Sequence, residues 1–453
     1  MKDRKTTIAA LENAVGHRRL IWVGTRGTDA QPLLALSQFD GVVGLIAPLG
    51  VPSWGHGAEA YLERISGERV DLNAYSIDTD DSVHRRELAA RLRRALSAGT
   101  MAVAYRPSAF LASAYFTRSE NVAYLGMFHG AQAAFEHKPW VETELAASGV
   151  PIIPWRYFAD DDRALLEEWV GDRRFVLRAN YSDGGRGVEF SGSGAQLQTP
   201  VHDGGFIAAS PFLDPNVPLN VSGCVFPNGD VSVRSPSIQL IGIPSCTNRR
   251  FGYCGNDFAA VYDVLGDDGL DELERLVRAT GSWLHRRGYV GAFGLDALAY
   301  EGAIYLAEIN PRFQGSSAAA SSIMAAAGES DTYLDHLAAV LGLEGFGGYP
   351  PLREQGYLQS REGHRLAQVV CYNIGETCVR RPDSFIPDLS FGEVKGAPEE
   401  DVCVLPEAML FKMFVRGAVT ASGFDVDAHT AATITSLSSS VFVPTADDRD
   451  GSA

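Results

Sequence analysis

Short apolar runs alternate with amphipathic segments through the first part of the chain. Leu20–Val23, Val42–Ile46 and Met101–Tyr105 have the length and composition of buried strands. Thr6–Arg19 and Arg85–Leu96 show the apolar spacing of helices that pack on one face. Strands that alternate with helices predict a parallel α/β domain of about 120 residues.

The middle of the chain has a different pattern. Asn220–Phe226 and Val231–Val233 are β-prone, and the turn sequence Pro227–Asp230 between them predicts a hairpin. Leu270–Arg287 is an amphipathic helix candidate, and Pro139–Ala147 is a shorter one that a glycine and a proline terminate. This part therefore mixes helices with antiparallel strands.

A second predicted hairpin carries a group of polar residues. Phe293–Ala299 and Ala303–Ile309 are both β-like and are separated by a short turn. If the turn is tight, Asp296 lies about opposite Glu308. Asn310 shares the face of Glu308, because alternate residues on a strand point the same way. Two carboxylates and a carboxamide are therefore expected to converge on one patch.

This patch of hard oxygen ligands suits Mg²⁺, which takes one or two carboxylates and completes its shell with water and phosphate oxygens. Arg312 comes two residues after Asn310, and its planar charged fork suits phosphoryl oxygens. The alternative is a solvated hairpin tip or a structural salt bridge. Apolar neighbours such as Leu295 and Ile309 favour the metal site, because idle carboxylates among them are costly.

A glycine-rich turn, Ser182–Val188, follows a β-prone run at Arg174–Leu177. Glycines in such a turn let backbone N–H groups approach and cradle phosphates, although most glycine-rich turns are only turns. The turn is not a Walker A loop, because the pattern GxxxxGK[ST] is absent. No GxGxxG follows the first strand, so a dinucleotide fingerprint is not supported.

Lysine is scarce in this chain. Only five of the 39 basic residues are lysine, and Lys138 is the one that lies between Lys5 and Lys395. A lysine kept deep inside an arginine-rich chain is expected to do something that arginine cannot.

The chain has 39 basic and 56 acidic side chains, a net charge of −17 and a pI near 5.0. This balance argues against broad binding of nucleic acids or anionic membranes, which requires a positive field. No apolar run approaches the roughly 20 residues that span a bilayer. The six cysteines are scattered without a CxxC pair. We therefore expect a cytoplasmic protein with reduced thiols, without a zinc site, and with no nucleic-acid or membrane partner.

The order and spacing of these features resemble the ATP-grasp superfamily, which includes biotin carboxylase, D-alanine–D-alanine ligase and many peptide ligases. The resemblance covers about Tyr124–Gly328. It rests on a lysine before a helix, an arginine before the glycine-rich loop, a proline-broken linker, a glutamine and a final acidic motif: Lys138, Arg178, Gly184–Gly187, Pro211–Pro218, Gln239, Asp296 and Glu308–Arg312. It implies an α/β (α+β) chain with an ATP-grasp fold, an N-terminal parallel α/β domain and a C-terminal mixed α/β domain.

The expected organisation has three parts. Residues 1–123 form the N-terminal α/β domain that precedes the ATP-grasp module. The module covers 124–335, with one subdomain at about 124–205 and a second at about 206–335. Residues 336–453 form the C-terminal α/β domain, which ends in a disordered tail.

The resemblance implies that ATP is clamped between the two subdomains. Lys138 would contact α- and β-phosphate oxygens. Arg178 stands where the family usually has a second lysine, so the charge is kept while the donor geometry changes. Gly184, Gly185 and Gly187 match the flexible loop over the phosphates.

The segment from Ser210 to Leu213 matches the hinge that receives adenine. A glutamate is common in the family at the position of Ser210. Because this acid is missing, adenine recognition is expected to rest on backbone groups near Phe212 and Leu213. Asp214 or Asn216 would reach the ribose.

The implied reaction centre uses two cofactor species, ATP and Mg²⁺, with Mn²⁺ as a substitute. Asp296, Glu308 and Asn310 match the metal ligands, Arg312 matches the arginine near the γ-phosphate, and Gln239 faces the reaction centre. In the family, a substrate carboxylate attacks the γ-phosphate to give an acyl phosphate and ADP. An amine then displaces phosphate and an amide forms.

The substrate-binding residues are less clearly marked. Arg249 and Arg250 could hold a substrate carboxylate or phosphate, and a solvated loop pair is the alternative. Gln314–Ser316 could line the acceptor pocket, with Ser316 as the contact, or could form only a strand-to-helix cap. His129 and His137 flank the start of the module, where a structural role is the more frequent one.

The domain layout resembles the stand-alone ligases of bacterial secondary metabolism, with pheganomycin-type peptide ligases as the comparison. A carboxylase is not indicated, because no Met-Lys-Met carrier site is present and Pro218 stands where biotin carboxylases tend to have histidine. The expected partners are a small-molecule carboxylate and an amine, and a homodimer is left open. Two alternatives remain: a kinase-like phosphotransferase or phosphate-releasing cyclase, and a non-catalytic nucleotide-binding regulator.

Overall fold

The computed structural model describes residues 3–51, 57–96, 99–106, 108–111, 122–126, 134–159, 162–180, 184–192, 205–346, 349–359, 365–382, 389, 391–400 and 402–444. His129, the first two residues of the predicted loop Ser182–Val188 and the predicted disordered tail Ala446–Ala453 lie outside these residues.

The first sheet is parallel and has the strand order β3-β2-β1-β5-β6. Its strands are β1 (Arg19–Arg26), β2 (Phe39–Ile46), β3 (Ala58–Tyr61), β5 (Thr100–Ala104) and β6 (Val122–Leu125). The neighbouring helices are α1 (Arg4–Val15), α2 (Leu62–Ser66) and α3 (Val83–Ala95), with a 3₁₀ helix at Gly27–Ala35. All four strand pairs are parallel, which confirms the predicted parallel α/β sheet.

One local prediction in this sheet is wrong. The glycine-containing sequence Gly24–Thr28 after the first apolar run predicts a turn, but β1 continues to Arg26 and the chain then enters the 3₁₀ helix. The parallel pairing of Arg26 with Ile46 extends the strand beyond its apolar run. Sheet hydrogen bonding therefore overrides the local turn preference of glycine.

A small antiparallel sheet with the order β7-β10-β8-β9 forms the next unit. Its strands are β7 (Arg156–Ala159), β8 (Phe175–Arg178), β9 (Val188–Ser191) and β10 (Phe206–Pro211). Helix α5 (Arg163–Val170) packs on it, whereas α4 (Lys138–Ala147) buries Val141 and Leu145 in the core of the large sheet. Leu166 of α5 packs with Phe158 and Leu177 in an apolar cluster that is separate from the other cores.

The largest sheet has eight strands in the order β15-β14-β11-β12-β13-β16-β20-β18. These are β11 (Val217–Val225), β12 (Val231–Ile241), β13 (Tyr253–Asp257), β14 (Gly291–Tyr300), β15 (Ala303–Asn310), β16 (Leu366–Tyr372), β18 (Gly392–Lys395) and β20 (Met409–Arg416). Both predicted hairpins are confirmed as β11–β12 and β14–β15. The turn of the second hairpin has positive φ at Glu301 and Gly302, the backbone form that suits two-residue hairpin turns.

Long helices pack on this sheet. They are α6 (Val261–Arg286), α7 (Ser317–Ala326), α8 (Thr332–Val340) and α9 (Leu352–Gln359). The predicted helix Leu270–Arg287 is the main part of α6, and a break at Gly266 separates it from the first turn. Leu273, Val277 and Trp283 are buried against the sheet, as their spacing predicts.

The last part of the chain joins the others through strand pairing. β16 pairs with β13, so the large sheet continues across position 336, where the C-terminal domain is predicted to start. A further small sheet has the order β21-β17-β19-β4, with β4 (Glu68–Arg69), β17 (Val379–Arg380), β19 (Cys403–Val404) and β21 (Val443–Pro444). Helix α10 (Ala428–Val441) precedes β21. The domain boundaries themselves stay predictions.

The expectation of six reduced cysteines is wrong at one pair. Cys378 and Cys403 form a disulfide, with their Cα atoms 5.9 Å apart. Their proximity results from the pairing of β17 with β19, which sequence spacing does not reveal. The other four cysteines are free and buried. In the part of the chain that the structure describes, no helix combines the length and the apolar character needed to cross a membrane.

Candidate functional site

A cavity of about 360 Å³ lies where the three large units meet. The predicted site residues that line it are Arg178, Gly184, Gly185, Phe212, Leu213, Asn216, Gln239, Asp296, Glu308, Asn310, Arg312, Gln314, Gly315 and Ser316. Six others do not line it: Lys138, Gly187, Ser210, Asp214, Arg249 and Arg250. Most of the predicted residues therefore face one common space.

Asp296 is the centre of a hydrogen-bond network at the cavity floor. Its Oδ1 accepts hydrogen bonds from Asn220 at 2.6 Å and from Gln239 at 2.9 Å. Asn310 donates to Oδ2 at 3.2 Å, and Gln314 approaches Oδ1 at 3.4 Å. Amide groups from four different segments therefore hold this carboxylate in one orientation.

Asp296 and Glu308 are direct partners in the β14–β15 register. The register shifts between Asp296 and Ala297, which pairs with Leu306, so Ala307 is an extra residue on β15. Such bulges re-aim side chains and are frequent beside functional sites. Burial, and secondly the charge of Glu308, raises the pKa of Asp296 to about 7, while hydrogen bonds from Asn220 act in the opposite direction.

The donor set fits a divalent cation. Two carboxylates and a carboxamide line the cavity, and a cation there would favour the charged form of Asp296 against the burial and the repulsion from Glu308 that raise its pKa. Among the described residues, no group of three or more histidine, cysteine and carboxylate side chains is arranged to hold a metal alone. A magnesium ion at this place would therefore take other oxygens from water and phosphate.

Lys138 and Arg312 are each paired with an acid beside the cavity. Lys138 Nζ lies 3.2 Å from Oε1 of Glu308, at the N-terminus of α4. Arg312 Nε donates to Glu136 at 3.1 Å, and its guanidinium lies 5.8 Å from the ring centre of Tyr105. Arg312 thus lines the cavity itself, whereas Lys138 contacts a carboxylate that lines it.

Arg178 is fixed from two sides. Its two terminal nitrogens contact the two oxygens of Glu142 at 2.7 and 2.9 Å, and both side chains are buried. The guanidinium also stacks on Trp155, 4.0 Å from the ring centre. Its Nε is buried and has no hydrogen-bond partner in the described part of the chain. An anion in the cavity would satisfy this donor.

The described part of the glycine-rich loop lies against the other units. A Cβ at Gly184 would stand 2.3 Å from Asn73 Oδ1, and a Cβ at Gly185 would stand 1.9 Å from the carbonyl oxygen of Phe251. Both glycines also have positive φ. Gly187 does not line the cavity, and its carbonyl accepts a hydrogen bond from the Ala179 amide at 2.8 Å. Only glycine permits this close approach of the loop.

Only part of the predicted adenine hinge lines the cavity. Phe212 and Leu213 line it, and Asn216 lines it with a buried Oδ1 that has no hydrogen-bond partner among the described residues. Ser210 is fully buried, and its hydroxyl donates to its neighbour's carbonyl at 3.2 Å. Asp214 instead forms an exposed ion pair with Arg174 at 2.7 Å. Asn216 is therefore better placed than Asp214 for a ribose.

Of the candidate substrate residues, some line the cavity and others are held in contacts outside it. Arg249 is paired with Asp71 at 2.5 Å and with Glu407 at 3.2 Å. Arg250 stacks on Phe190, 3.6 Å from the ring centre. Ser316 lines the cavity and donates to Asn220 at 2.9 Å.

His137 is also occupied, because its Nδ1 accepts the Trp140 amide at 3.3 Å and caps α4. This contact is the structural role that the sequence favours.

The sequence alone does not indicate several residues that line or support the site. Asn220 is marked only as an amide within an apolar strand, and its pairing with Asp296 arises from β11 and β14. Glu142, the partner of Arg178, resembles any polar helix residue. Arg26 and Arg106 follow the apolar runs of β1 and β5, and this position was the signal that could have identified them.

The cavity is locally basic although the chain is acidic. Its charged lining comprises four arginines and two carboxylates: Arg26, Arg106, Arg178, Arg312, Asp296 and Glu308. A polyanionic ligand with a divalent cation matches this balance.

Solved structures resemble almost the whole chain. Biotin carboxylase from Campylobacter jejuni, in complex with β,γ-ATP, aligns with a TM-score of 0.59 and 14% identity over 96% of this chain and 93% of its own. The biotin carboxylase domain of 2-oxoglutarate carboxylase from Hydrogenobacter thermophilus, a dimer with MgADP, ADP and bicarbonate, has a TM-score of 0.57 and 15% identity over 89% and 87%.

N5-carboxyaminoimidazole synthetase from Staphylococcus aureus, complexed with ADP, has a TM-score of 0.51 and 12% identity over 88% of this chain and 93% of its own. No protein-family model and no curated protein sequence matches the chain. The sheet arrangement and these structural likenesses together show that the chain has an ATP-grasp fold, with an N-terminal parallel α/β domain and a C-terminal mixed α/β domain.

Proposed function

We propose that this protein is an ATP-dependent carboxylate–amine ligase that forms an amide or peptide bond through an acyl phosphate and releases ADP and phosphate. One observation carries the proposal. Asp296, Glu308 and Asn310 face one cavity together with the guanidinium groups of Arg178 and Arg312. This arrangement combines a metal-binding donor set with cations for the phosphates and the charged transition state.

The structural neighbours support the nucleotide and the metal. The two biotin carboxylase structures are complexes with β,γ-ATP and with MgADP, ADP and bicarbonate, and the synthetase structure is a complex with ADP. The donor set of this chain fits a magnesium ion, which when bound neutralises phosphate charge and orients the γ-phosphate. ATP and Mg²⁺, or Mn²⁺ in its place, are therefore the proposed cofactors.

The residues of this chain have separate roles in the proposed reaction. Arg178 and Lys138 neutralise phosphate oxygens, and Arg312 stabilises the charge that develops as the γ-phosphate is transferred. Gly184 and Gly185 bring the loop close enough to exclude water from the acyl phosphate. Phe212 and Leu213 receive the adenine through backbone groups. No protein nucleophile is needed, because positioning and charge stabilisation supply the catalysis.

The finer assignment is a peptide-type ligase of bacterial secondary metabolism that acts on small molecules in the cytoplasm, with a homodimer as a candidate assembly. Bicarbonate is a second candidate for the acid, because structures of carboxylating enzymes cover nearly all of this chain. Bicarbonate would be activated by the same attack on the γ-phosphate, so the same assay covers both cases.

The test is phosphate and ADP release from Mg·ATP against a matrix of acids, bicarbonate and amines, singly and in pairs. Glu308→Ala is the inactive variant, and Glu301→Ala, on the exposed turn of the same hairpin, is the matched control. A signal that needs both an acid and an amine, with a product that has lost one water, identifies the ligase. ADP release without any amide by mass spectrometry rejects it, and a stable phosphorylated product indicates a kinase.

A further inference from the structure

The parallel sheet ends at a crevice that opens into the same cavity. β2 and β3 lie on one side of β1, and β5 and β6 lie on the other side, so the winding direction reverses between β1 and β5. In such sheets, ligands bind outside the carboxyl ends of the strands at this switch point. Thr25 and Arg26 end β1, Tyr105 and Arg106 follow β5, and all four line the cavity.

A small pocket of about 50 Å³ branches from the cavity at this point. Thr25, Leu72, Tyr105 and Arg106 line both spaces and form the opening. The remaining walls are mostly apolar side chains from β2, α3 and nearby loops, among them Val43, Leu45, Ile77, Leu88 and Phe110. Because one water needs about 10–15 Å³ of such space, the pocket holds about four heavy atoms. An isopropyl or isobutyl group has this size.

Polar atoms without hydrogen-bond partners surround the opening. Within the described residues, Thr25 Oγ1, Arg26 Nε and Gln314 Oε1 are buried and unpaired. The Gln314 side chain is also buried, with an exposed fraction of 6%. Buried polar groups are normally satisfied, so these atoms point to a ligand. Arg26 and Thr25 can donate to a carboxylate, and Gln314 can accept from a neighbouring N–H or O–H group.

Arg26 can bind a ligand because its acidic neighbour, Asp29, is also paired with a second cation, Lys412. Arg26 Nη1 lies 3.5 Å from Asp29, whereas Lys412 Nζ lies 2.7 Å from the same carboxylate. Arg26 also approaches the predicted reaction centre. A Cβ built on Gly315 would stand 3.6 Å from Arg26 Nη1, and the adjacent Gln314 contacts Asp296.

On the basis of the proposed ligase function, we propose that the activated acid carries a branched aliphatic group of three or four carbons. The alkyl group fills the side pocket, and Arg26 and Thr25 hold the carboxylate. A carboxylate oxygen attacks the γ-phosphorus, the bond from that phosphorus to the β–γ bridging oxygen breaks, and ADP leaves. The amine nitrogen then bonds to the acyl carbon and loses a proton as phosphate leaves.

Hydroxylamine makes the test independent of the unknown amine, because its nitrogen attacks an acyl phosphate and yields a hydroxamate and phosphate. The acids are L-leucine, L-valine, 4-methylpentanoate, glycine, L-aspartate and L-phenylalanine, each with Mg·ATP. We expect at least tenfold more hydroxamate from the branched acids than from glycine or aspartate. Calorimetry with the same acids and Mg·ADP measures binding without reaction.

Variants at the pocket and at the carboxylate site test the two halves of the proposal. Ile77→Phe fills the pocket from a loop position and is expected to lower the signal for branched acids at least tenfold but not the signal for glycine. Ile77→Ala enlarges it and shifts the preference toward phenylalanine. Val83→Phe, at a 63% exposed surface position, is the matched control. Arg26→Lys is expected to raise the KM for the acid tenfold while the KM for ATP stays constant.

The outcomes separate this inference from the ligase proposal. Charged acids that outrank branched ones, or an unchanged preference in Ile77→Phe, would overturn the pocket assignment and leave the ligase intact. Branched acids that bind in an Ile77-dependent manner without any hydroxamate would keep the pocket and reject the ligase. If branched acids neither bind nor react, the pocket assignment is rejected. Incorporation of leucinamide through its nitrogen would show that the pocket serves the amine instead.

Discussion

Lys138 Nζ lies 3.2 Å from Oε1 of Glu308, so an ion pair joins the start of α4 to β15. Asp296, directly opposite Glu308, receives hydrogen bonds from amides instead. One carboxylate of the pair is therefore neutralised by a lysine, and the other retains a raised pKa of about 7, chiefly because it is buried. A cation bound here, with the phosphates that it carries, would lie between a carboxylate paired with a lysine and a carboxylate held by amides.

Glu308→Gln is expected to lower ADP formation about 100-fold, because it removes a charged metal ligand from the site. Glutamine keeps the shape of the side chain and can still accept from Lys138, so the melting temperature should change little. The measurement is ADP release as a function of Mg²⁺ concentration. Glu301→Gln is the control on the same hairpin, and an unchanged Mg²⁺ dependence in Glu308→Gln would exclude Glu308 as a ligand.

Arg178→Lys is expected to lower the stability of the protein and raise its KM for ATP, although lysine is usual at this position in the family. Lysine cannot make both contacts with Glu142 or stack on Trp155, so the buried carboxylate loses a partner. The expected cost is about 1–3 kcal/mol of unfolding free energy, together with a higher KM for ATP. Urea unfolding and ATP titration measure both effects. Arg163→Lys, in an exposed pair with Glu167, should lack either effect.

Gly185→Ala is expected to lower kcat/KM for ATP at least about tenfold, equivalent to 1.4 kcal/mol of transition-state stabilisation. The new methyl group would meet the Phe251 carbonyl, so the loop must move away from the cavity. Gly205→Ala is a matched control, because Gly205 has a similar positive φ, but a Cβ there would meet no atom of the described residues within 4 Å. Equal losses in both variants would attribute the effect to backbone strain alone.

Stability is expected to fall in mildly acidic solution because of His336. Burial lowers the pKa of this histidine to about 4, although its hydrogen bond with the Leu125 carbonyl acts in the opposite direction. The unfolded chain, with a histidine pKa near 6.5, therefore binds more protons than the folded chain below that pH. The stabilisation is complete above about pH 6.5 and decreases as the pH falls toward 4, by about 3 kcal/mol in total.

Urea unfolding at several pH values between 7.5 and 4.5 tests this expectation. His336→Gln should show a smaller dependence on pH over this interval than the wild type. His84→Gln, at an exposed position of α3, should follow the wild type. Parallel pH profiles for the wild type and His336→Gln would assign the loss to other groups.

Local pairing explains why part of the site could be predicted. Asp296 and Glu308 are joined by one short hairpin, so the spacing of polar residues around the turn determines which side chains meet. The parallel sheet could be predicted for a similar reason, since its apolar runs alternate with helices. The hairpin depends on contacts between neighbours in the sequence, whereas the parallel sheet is indicated by the local alternation of apolar runs and helices even though β1 pairs with the distant β5.

Long-range pairing explains what could not be predicted. Asn220 reaches Asp296 because β11 pairs with β14, and Glu142 reaches Arg178 from a helix with no distinctive pattern. The Cys378–Cys403 disulfide likewise depends on two very short strands. Such contacts depend on the packing of whole units, which local spacing does not encode.

The continuous large sheet also affects how such a protein can change during evolution. β16 completes the edge of β13, and Lys412 of β20 reaches back to Asp29 in the first unit. A recombination event at position 336 would expose a strand edge and leave a buried carboxylate without its lysine. The C-terminal segment is therefore expected to be inherited together with the rest of the chain. New substrate preferences should arise by substitution around the cavity, and not by exchange of this segment.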